Sequence, residues 1–172
     1  MSERRERLTA APFRLDGKQA DWVEDTLASM STEDRLRQLF CLITYSDNEE
    51  DLRRLAEQIR PGGIMSRAVP TEQALRTIRT LQEYSHIPML ISANLESGGN
   101  GLLSDGSFFA RPMAIAATDD TEQARRLGEI CGTEGAAVGA NWSFAPIVDI
   151  DYNWRNPITL SLIHISEPTR HA

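Results

Sequence analysis

PMLISANLESGGNG, residues 88–101, is an apolar run that turns abruptly polar and rich in glycine. The apolar part, 89–91, is too short for a buried helix and has the character of a buried parallel strand. In sheets and barrels built from β-α units, ligands meet the carboxyl ends of the strands, where loops gather side chains over a rigid support. Asn94 and Glu96 stand at such a junction in this reading.

Upstream, Thr71 and Glu72 follow Pro70 at the start of a helix whose Ala74, Leu75, Ile78 and Leu81 make one stripe. Before it, a helix over 49–59 places Leu52, Leu55, Ala56 and Ile59 on one side, and Pro61 with two glycines ends it ahead of a short strand at Ile64 and Met65. Farther back, Asp21 opens a helix carrying Val23, Leu27 and Met30, and Ser31 with Asp34 reads as a capping box for another. Leu36, Leu39 and Phe40 would be the apolar face of that second helix, while 40–43 reads equally as the first strand. Residues 1–18 read as a polar leader.

Downstream, PMAIAAT at 112–118 suggests a strand or extended segment, and Asp119 or Asp120 caps a helix whose buried side is Ala124, Leu127, Cys131 and Val138. That helix loosens at Gly132, Gly135 and Gly139, and NWSFAPIVDI, from residue 141, begins the next strand. Helix and strand thus alternate at spacings of about 25 to 30 residues, the pattern of parallel β-α units and of the α/β class. Periodicity does not separate a barrel from an open sheet.

Composition limits the alternatives. The 172 residues suffice for one ordinary core, whereas a full eight-unit barrel takes about 250. A 41% hydrophobic and 25% charged content is that of a globular, non-membrane protein. The net charge of -7 argues against nucleic acid and suits a neutral small substrate. The arginines near the amino terminus are not followed by the apolar middle of a secretory signal, so the expected location is the cytoplasm. Cys41 and Cys131 lie far apart among apolar residues, which favours two buried reduced thiols over a disulfide or structural zinc; no metal is expected.

The segments WVEDTLASMSTEDRLRQLF, RPGGIMSR, IPMLISANLESGGNG and NWSFAPIVDIDYNWRNPIT, in that order over residues 20–159, resemble the amino-terminal domain of glycoside hydrolase family 3, which includes β-glucosidases and β-N-acetylhexosaminidases. The resemblance implies the first part of a (β/α)8 barrel, incomplete here, over residues 19–159. It also implies a retaining, exo-acting glycosidase that removes terminal β-linked sugars from the non-reducing end without a cofactor.

In the family, the strand matching 89–93 ends in an aspartate that grips hydroxyls of the terminal sugar, followed after one residue by a glutamate and two glycines. This chain has Asn94 at the aspartate position, with Glu96, Gly98 and Gly99 matching the rest. An amide both donates to and accepts from vicinal hydroxyls, but lacks the charge-assisted bonds of a carboxylate. Sugar identity, glucose or N-acetylglucosamine, stays open. Asp149, at the end of FAPIVDI, is read first as a carboxylate accepting backbone N–H bonds in the next turn and second as a sugar contact. Trp142 and Trp154 either stack on a sugar face or pack beneath a loop.

Glu96 is assigned a structural or sugar-binding role, because a glycosidase needs two carboxyl groups about 5 to 10 Å apart and the family's nucleophile and acid/base come later in the chain. No catalytic residue is therefore expected among these positions, and the chain alone is expected to be poorly stable and inactive. After Ile158 the resemblance stops, and LSLIHISEPTRHA at 160–172 reads as a non-native tail in which His164 and His171 carry no function. Two rivals remain. One is an anion-binding loop at ESGGNG, which does not complete G-x-G-x-x-G; the other is a non-catalytic sugar-binding or scaffold domain.

Overall fold

The computed structural model describes residues 2–147 and Arg155. The chain divides into two compact units, residues 1–39 and 40–172.

The first unit is helical. α1 (Glu3–Thr9) lies within the stretch read as a polar leader, and α2 (Gly17–Ser29) begins four residues earlier than expected. Asp16, not Asp21, is its N-cap, because Asp16 and Gln19 complete a reciprocal capping box. The Arg5 guanidinium ties the two helices by donating to Asp21 at 2.5 Å and Glu24 at 2.9 Å. α3 (Thr32–Arg37) carries the expected capping box of Ser31 and Asp34. It stops at Arg37, so the stripe of Leu36, Leu39 and Phe40 is never completed, and all three side chains are exposed.

In the second unit the elements are β1 (Cys41–Ile43), α4 (Glu49–Arg54), β2 (Gly63–Met65), α5 (Thr71–Tyr84), β3 (Leu90–Ala93), α6 (Pro112–Ala116), α7 (Thr121–Ala137) and β4 (Trp142–Ser143). The four strands pair in parallel in the order β1-β2-β3-β4. A doubly wound sheet must reverse its strand order at a switch point, and this one does not. With the near-universal right-handed crossover, sequential order keeps the helices on one face, which is the arrangement of a barrel arc. The arc is not closed.

Register decides the two faces. Leu42, Ile64 and Ile91 lie level and point to the helices, where they join Leu52 and Ala56 of α4 and Ala74, Ile78 and Leu81 of α5 in one core. Cys41, Gly63 and Leu90, then Ile43, Met65, Ser92 and Trp142, occupy the opposite face. There Ile43 and Leu90 are 47% and 48% exposed, although a parallel sheet is normally covered on both sides. Gly63 leaves room on this face, and Ser92 Oγ lies 3.4 Å from Cys41 Sγ. Both cysteines are free thiols, Cys131 buried and Cys41 only half-buried.

Three local expectations change. The helix from Glu49 widens into a π turn at Leu55–Ile59, closed by the Arg60 N–H on the Leu55 carbonyl, and the wider winding leaves Ile59 42% exposed. Residues 112–116 are helix α6 and not a strand, because Pro112 occupies the first helical position and the Arg111 carbonyl accepts from Ala114 and Ile115. α7, capped by Asp120, runs unbroken through Gly132 and Gly135 and ends before Gly139, whose φ is +96°. At Gly135 a Cβ would lie 2.7 Å from Leu95, so the glycine there serves close packing. The last strand begins at Trp142, within the expected NWSFAPIVDI, and Asp149 and the tail at 160–172 fall outside the described residues.

β3 is held at its start by two amides. Gln82 of α5 accepts from the Met89 N–H and donates to the Met89 carbonyl, at 3.0 and 2.9 Å. Asn141 Oδ1 accepts from the Ile91 N–H at 2.8 Å, and the Asn141 N–H donates to the Ile91 carbonyl at 3.0 Å. Among the described residues, no helix is long and apolar enough to cross a membrane. Replacing Asn141 by Ala orphans the N–H of the fully buried Ile91 and is expected to lower stability by about 1–3 kcal/mol in urea unfolding.

Candidate functional site

Asn94 immediately follows β3, where the chain leaves the sheet. The ladder continues a little past the regular strands: the Ser66 N–H donates to the Ser92 carbonyl at 2.8 Å, and the Phe144 N–H to the Ala93 carbonyl at 3.1 Å. Extending that register with the alternation of the pleat puts Tyr45, Arg67, Asn94 and Phe144 in one row across the carboxyl end of the sheet, on the face away from the helices. Two contacts agree with the row. The Arg67 guanidinium lies 6.0 Å from the Tyr45 ring centroid, and Phe144 meets Trp142, two residues earlier on the same face, edge to face at 4.7 Å. All four side chains are exposed.

An aromatic ring, a guanidinium, an amide and a second aromatic ring form a surface suited to a pyranose. Rings meet the C–H faces of a sugar, and the amide and guanidinium meet its hydroxyls. Asn94 is where the sequence placed it, with its amide unengaged by any described residue. Tyr45, Arg67 and Phe144 were not singled out from sequence. Their only signal was position directly after a strand, which becomes informative once register sets them side by side.

Glu96 goes elsewhere. It lines a cleft of about 470 Å³, bounded by Leu95, by Pro112 and Ile115 of α6, by Leu127 and Cys131 of α7, and by Pro146. Asn94 is not part of that lining. Asp149 and Trp154 lie outside the described residues. Burial pushes the Cys131 thiol up from its ordinary range, against a smaller opposing effect of the Gly98 N–H, so this cysteine is a poor nucleophile.

The glycines of the loop are there because other atoms come close, not to cradle an anion. A Cβ on Gly98 would lie 2.0 Å from the Ser107 carbonyl oxygen, and one on Gly101 only 1.7 Å from that of Asn94. Gly99 sits equally close to Glu134 of α7, whose carboxylate accepts from the Ser107 N–H at 2.9 Å. The loop is further fastened by a parallel bridge between Val69 and Leu103 and by Asp105, which accepts from the Thr71 N–H and hydroxyl at 2.9 and 2.8 Å. Asp105 thereby caps α5, whose own N-cap, Pro70, has no side-chain group to offer. The Thr71 hydroxyl is the main cause that holds the Asp105 carboxyl below its ordinary range.

Comparison with known proteins bears on the family and the fold. The description "Glycosyl hydrolase family 3 N terminal domain" matches residues 31–162. The chain belongs to glycosyl hydrolase family 3. A family 3 relative from Cellulomonas fimi, a beta-N-acetylglucosaminidase/beta-glucosidase, is 46% identical over 152 residues, covering 88% of this chain and 27% of the relative. A beta-hexosaminidase of Pseudomonas aeruginosa is 35% identical over 88 residues, covering 49% of this chain and 26% of its own length. The solved structure of beta-glucoside phosphorylase BglX bound to 2FGlc superposes with a TM-score of 0.85 at 42% identity, over 95% of this chain and 30% of that one. This chain therefore spans between a quarter and a third of these relatives, and its unclosed parallel sheet is part of the family's barrel-type fold.

Gly101→Ala is expected to force the Asn94 carbonyl out of place and to destabilise the chain by at least about 2 kcal/mol in denaturant unfolding. Asp105→Ala lowers the melting temperature at neutral pH. Because the folded carboxyl titrates below its unfolded value of about 3.9, its contribution is complete above that value and is lost as pH falls through the folded one. The gap between wild type and variant should accordingly narrow between pH 6 and pH 3 in paired thermal melts.

Proposed function

We propose that this chain is the part of an exo-acting β-glycosidase that receives the terminal, non-reducing sugar, glucose or N-acetylglucosamine, of a β-linked substrate. The observation that carries the reading is the row of Tyr45, Arg67, Asn94 and Phe144 on the carboxyl rim of the parallel sheet, at the place where the family grips sugar hydroxyls. The Cellulomonas fimi relative, named for both sugars, supports it.

Asn94 is assigned to the sugar hydroxyls as both donor and acceptor, and Phe144 to the sugar's apolar face. Glu96 borders the helix-side cleft and shapes the loop, in keeping with a structural role. A retaining mechanism needs two carboxyl groups about 5–5.5 Å apart, and the rim row contains none. On this reading the rim row holds a sugar edge, and the carboxyl groups that cleave the glycosidic bond come from elsewhere.

A second reading follows from one observation, the 42% identity to beta-glucoside phosphorylase BglX. There the glycosyl group passes to inorganic phosphate in place of water. The acceptor does not alter the role assigned to the rim row.

The test uses p-nitrophenyl β-glucoside and p-nitrophenyl β-N-acetylglucosaminide with the purified chain, with and without phosphate, alongside calorimetric titration with the two free sugars. Expected are weak saturable sugar binding, its loss in Asn94→Ala, and no release of nitrophenol. Nitrophenol release above background would overturn the division of labour, and unchanged sugar binding by the variant would overturn the placement of the sugar.

A further inference from the structure

Gly101 packs against the Asn94 carbonyl more closely than any side chain would allow, so the place of the loop sets the peptide that carries the Asn94 amide. The Asn100 N–H, one residue before Gly101, donates to the Ser107 carbonyl at 3.2 Å. The N–H of the same Ser107 donates to the Glu134 carboxylate of α7 at 2.9 Å. Glu134 Oε2 also fills the place that a Cβ on Gly99 would take. One carboxylate therefore meets the loop on both its limbs, at Gly99 on the way out and at Ser107 on the return.

Glu134 is half-buried and forms no ion pair with any described residue, whereas Glu122 and Glu129 of the same helix pair with Arg125. One turn earlier on α7, Cys131 is buried, and the Gly98 N–H lies against its thiol. Two side chains on one face of α7 thus hold the loop. A carboxylate that is bonded to a backbone N–H and has no counter-ion acts by where its oxygen stands. A neutral acceptor of equal reach can take its place.

We propose that Glu134 is a positioning residue for the sugar rim: through Ser107, Asn100 and Gly101 it sets the peptide of Asn94, and with it the direction in which the Asn94 amide meets a sugar hydroxyl. Hydrogen bonds weaken steeply as their angle closes, so a small displacement of the loop lowers sugar affinity while the fold persists. The inference rests on the reading of Asn94 as a sugar contact. The environment of the Asn94 amide, however, is measurable without any sugar.

The measurement uses the 15N-labelled chain, in which the side-chain amide resonances of Asn94 are identified by their loss in Asn94→Ala, together with calorimetric titration of glucose and N-acetylglucosamine. Glu134→Ala is expected to shift the Asn94 amide resonances and to weaken sugar binding about fivefold. Glu134→Gln keeps an acceptor at the same reach, and should leave the resonances near those of wild type and the affinity within about twofold. Where the alanine variant does not fold, Glu134→Asp, which draws the carboxylate back by one methylene, takes its place with a smaller shift expected. Glu129→Ala, on the exposed side of the same helix, is the control and should change neither readout. Asn94 resonances that stay in place in Glu134→Ala and Glu134→Asp, a sugar affinity unchanged by both, or a glutamine variant as displaced as the alanine one overturns the proposal. A wild-type chain that binds neither sugar overturns the sugar reading of Asn94, and the resonances alone then decide on Glu134.

Discussion

A slip of one residue in a parallel sheet turns every side chain to the other face. The pairing of Met65 with Ser92, and of Ser92 with Trp142, therefore determines what this protein offers a ligand. With that register, Ile64 and Ile91 fill the core under the helices, and Arg67, Asn94 and Phe144 arrive together at the opposite face of the rim. The amides of Gln82 and Asn141 hold β3 by its backbone at the far end, so the register does not rest on apolar burial alone.

The glycine-rich loop serves the same purpose from the other end. Gly98 and Gly101 let the carbonyls of Ser107 and Asn94 lie closer than any side chain permits, and Gly99 makes the same room for the Glu134 side chain. The loop's proximity to α7, through Glu134, and to α5, through Asp105, fixes where the strand ends. The amide of Asn94 is thus presented by a rigid support, while its own side chain stays free for a ligand.

Much of this was legible in the sequence. The stripe of Ala74, Ile78 and Leu81, the box of Ser31 and Asp34, and the strand ending at Ala93 follow from periodicity and capping chemistry, which act locally. PMAIAAT was misread because a proline followed by small and apolar residues suits both the first turn of a helix and an extended segment, and Pro112 settles it only through the Arg111 carbonyl bonds. Asn94 was visible as the residue after a strand, but Tyr45 and Arg67 were not, since their adjacency exists only across strands. Glu96 shares a motif with Asn94, yet the chain bends after β3 and carries it to the helix-side cleft, a change of direction that spacing along the sequence does not encode.

The π turn at Leu55–Ile59 gives the fold a tolerance of its own. Such a turn is how a helix absorbs one surplus residue while the winding on either side keeps its phase. Removing a residue there would restore regular winding and shorten the approach to β2 without touching the loops beyond it. Chain length at this place can drift over evolutionary time at little cost, whereas an insertion between Met65 and Arg67 would dismantle the rim.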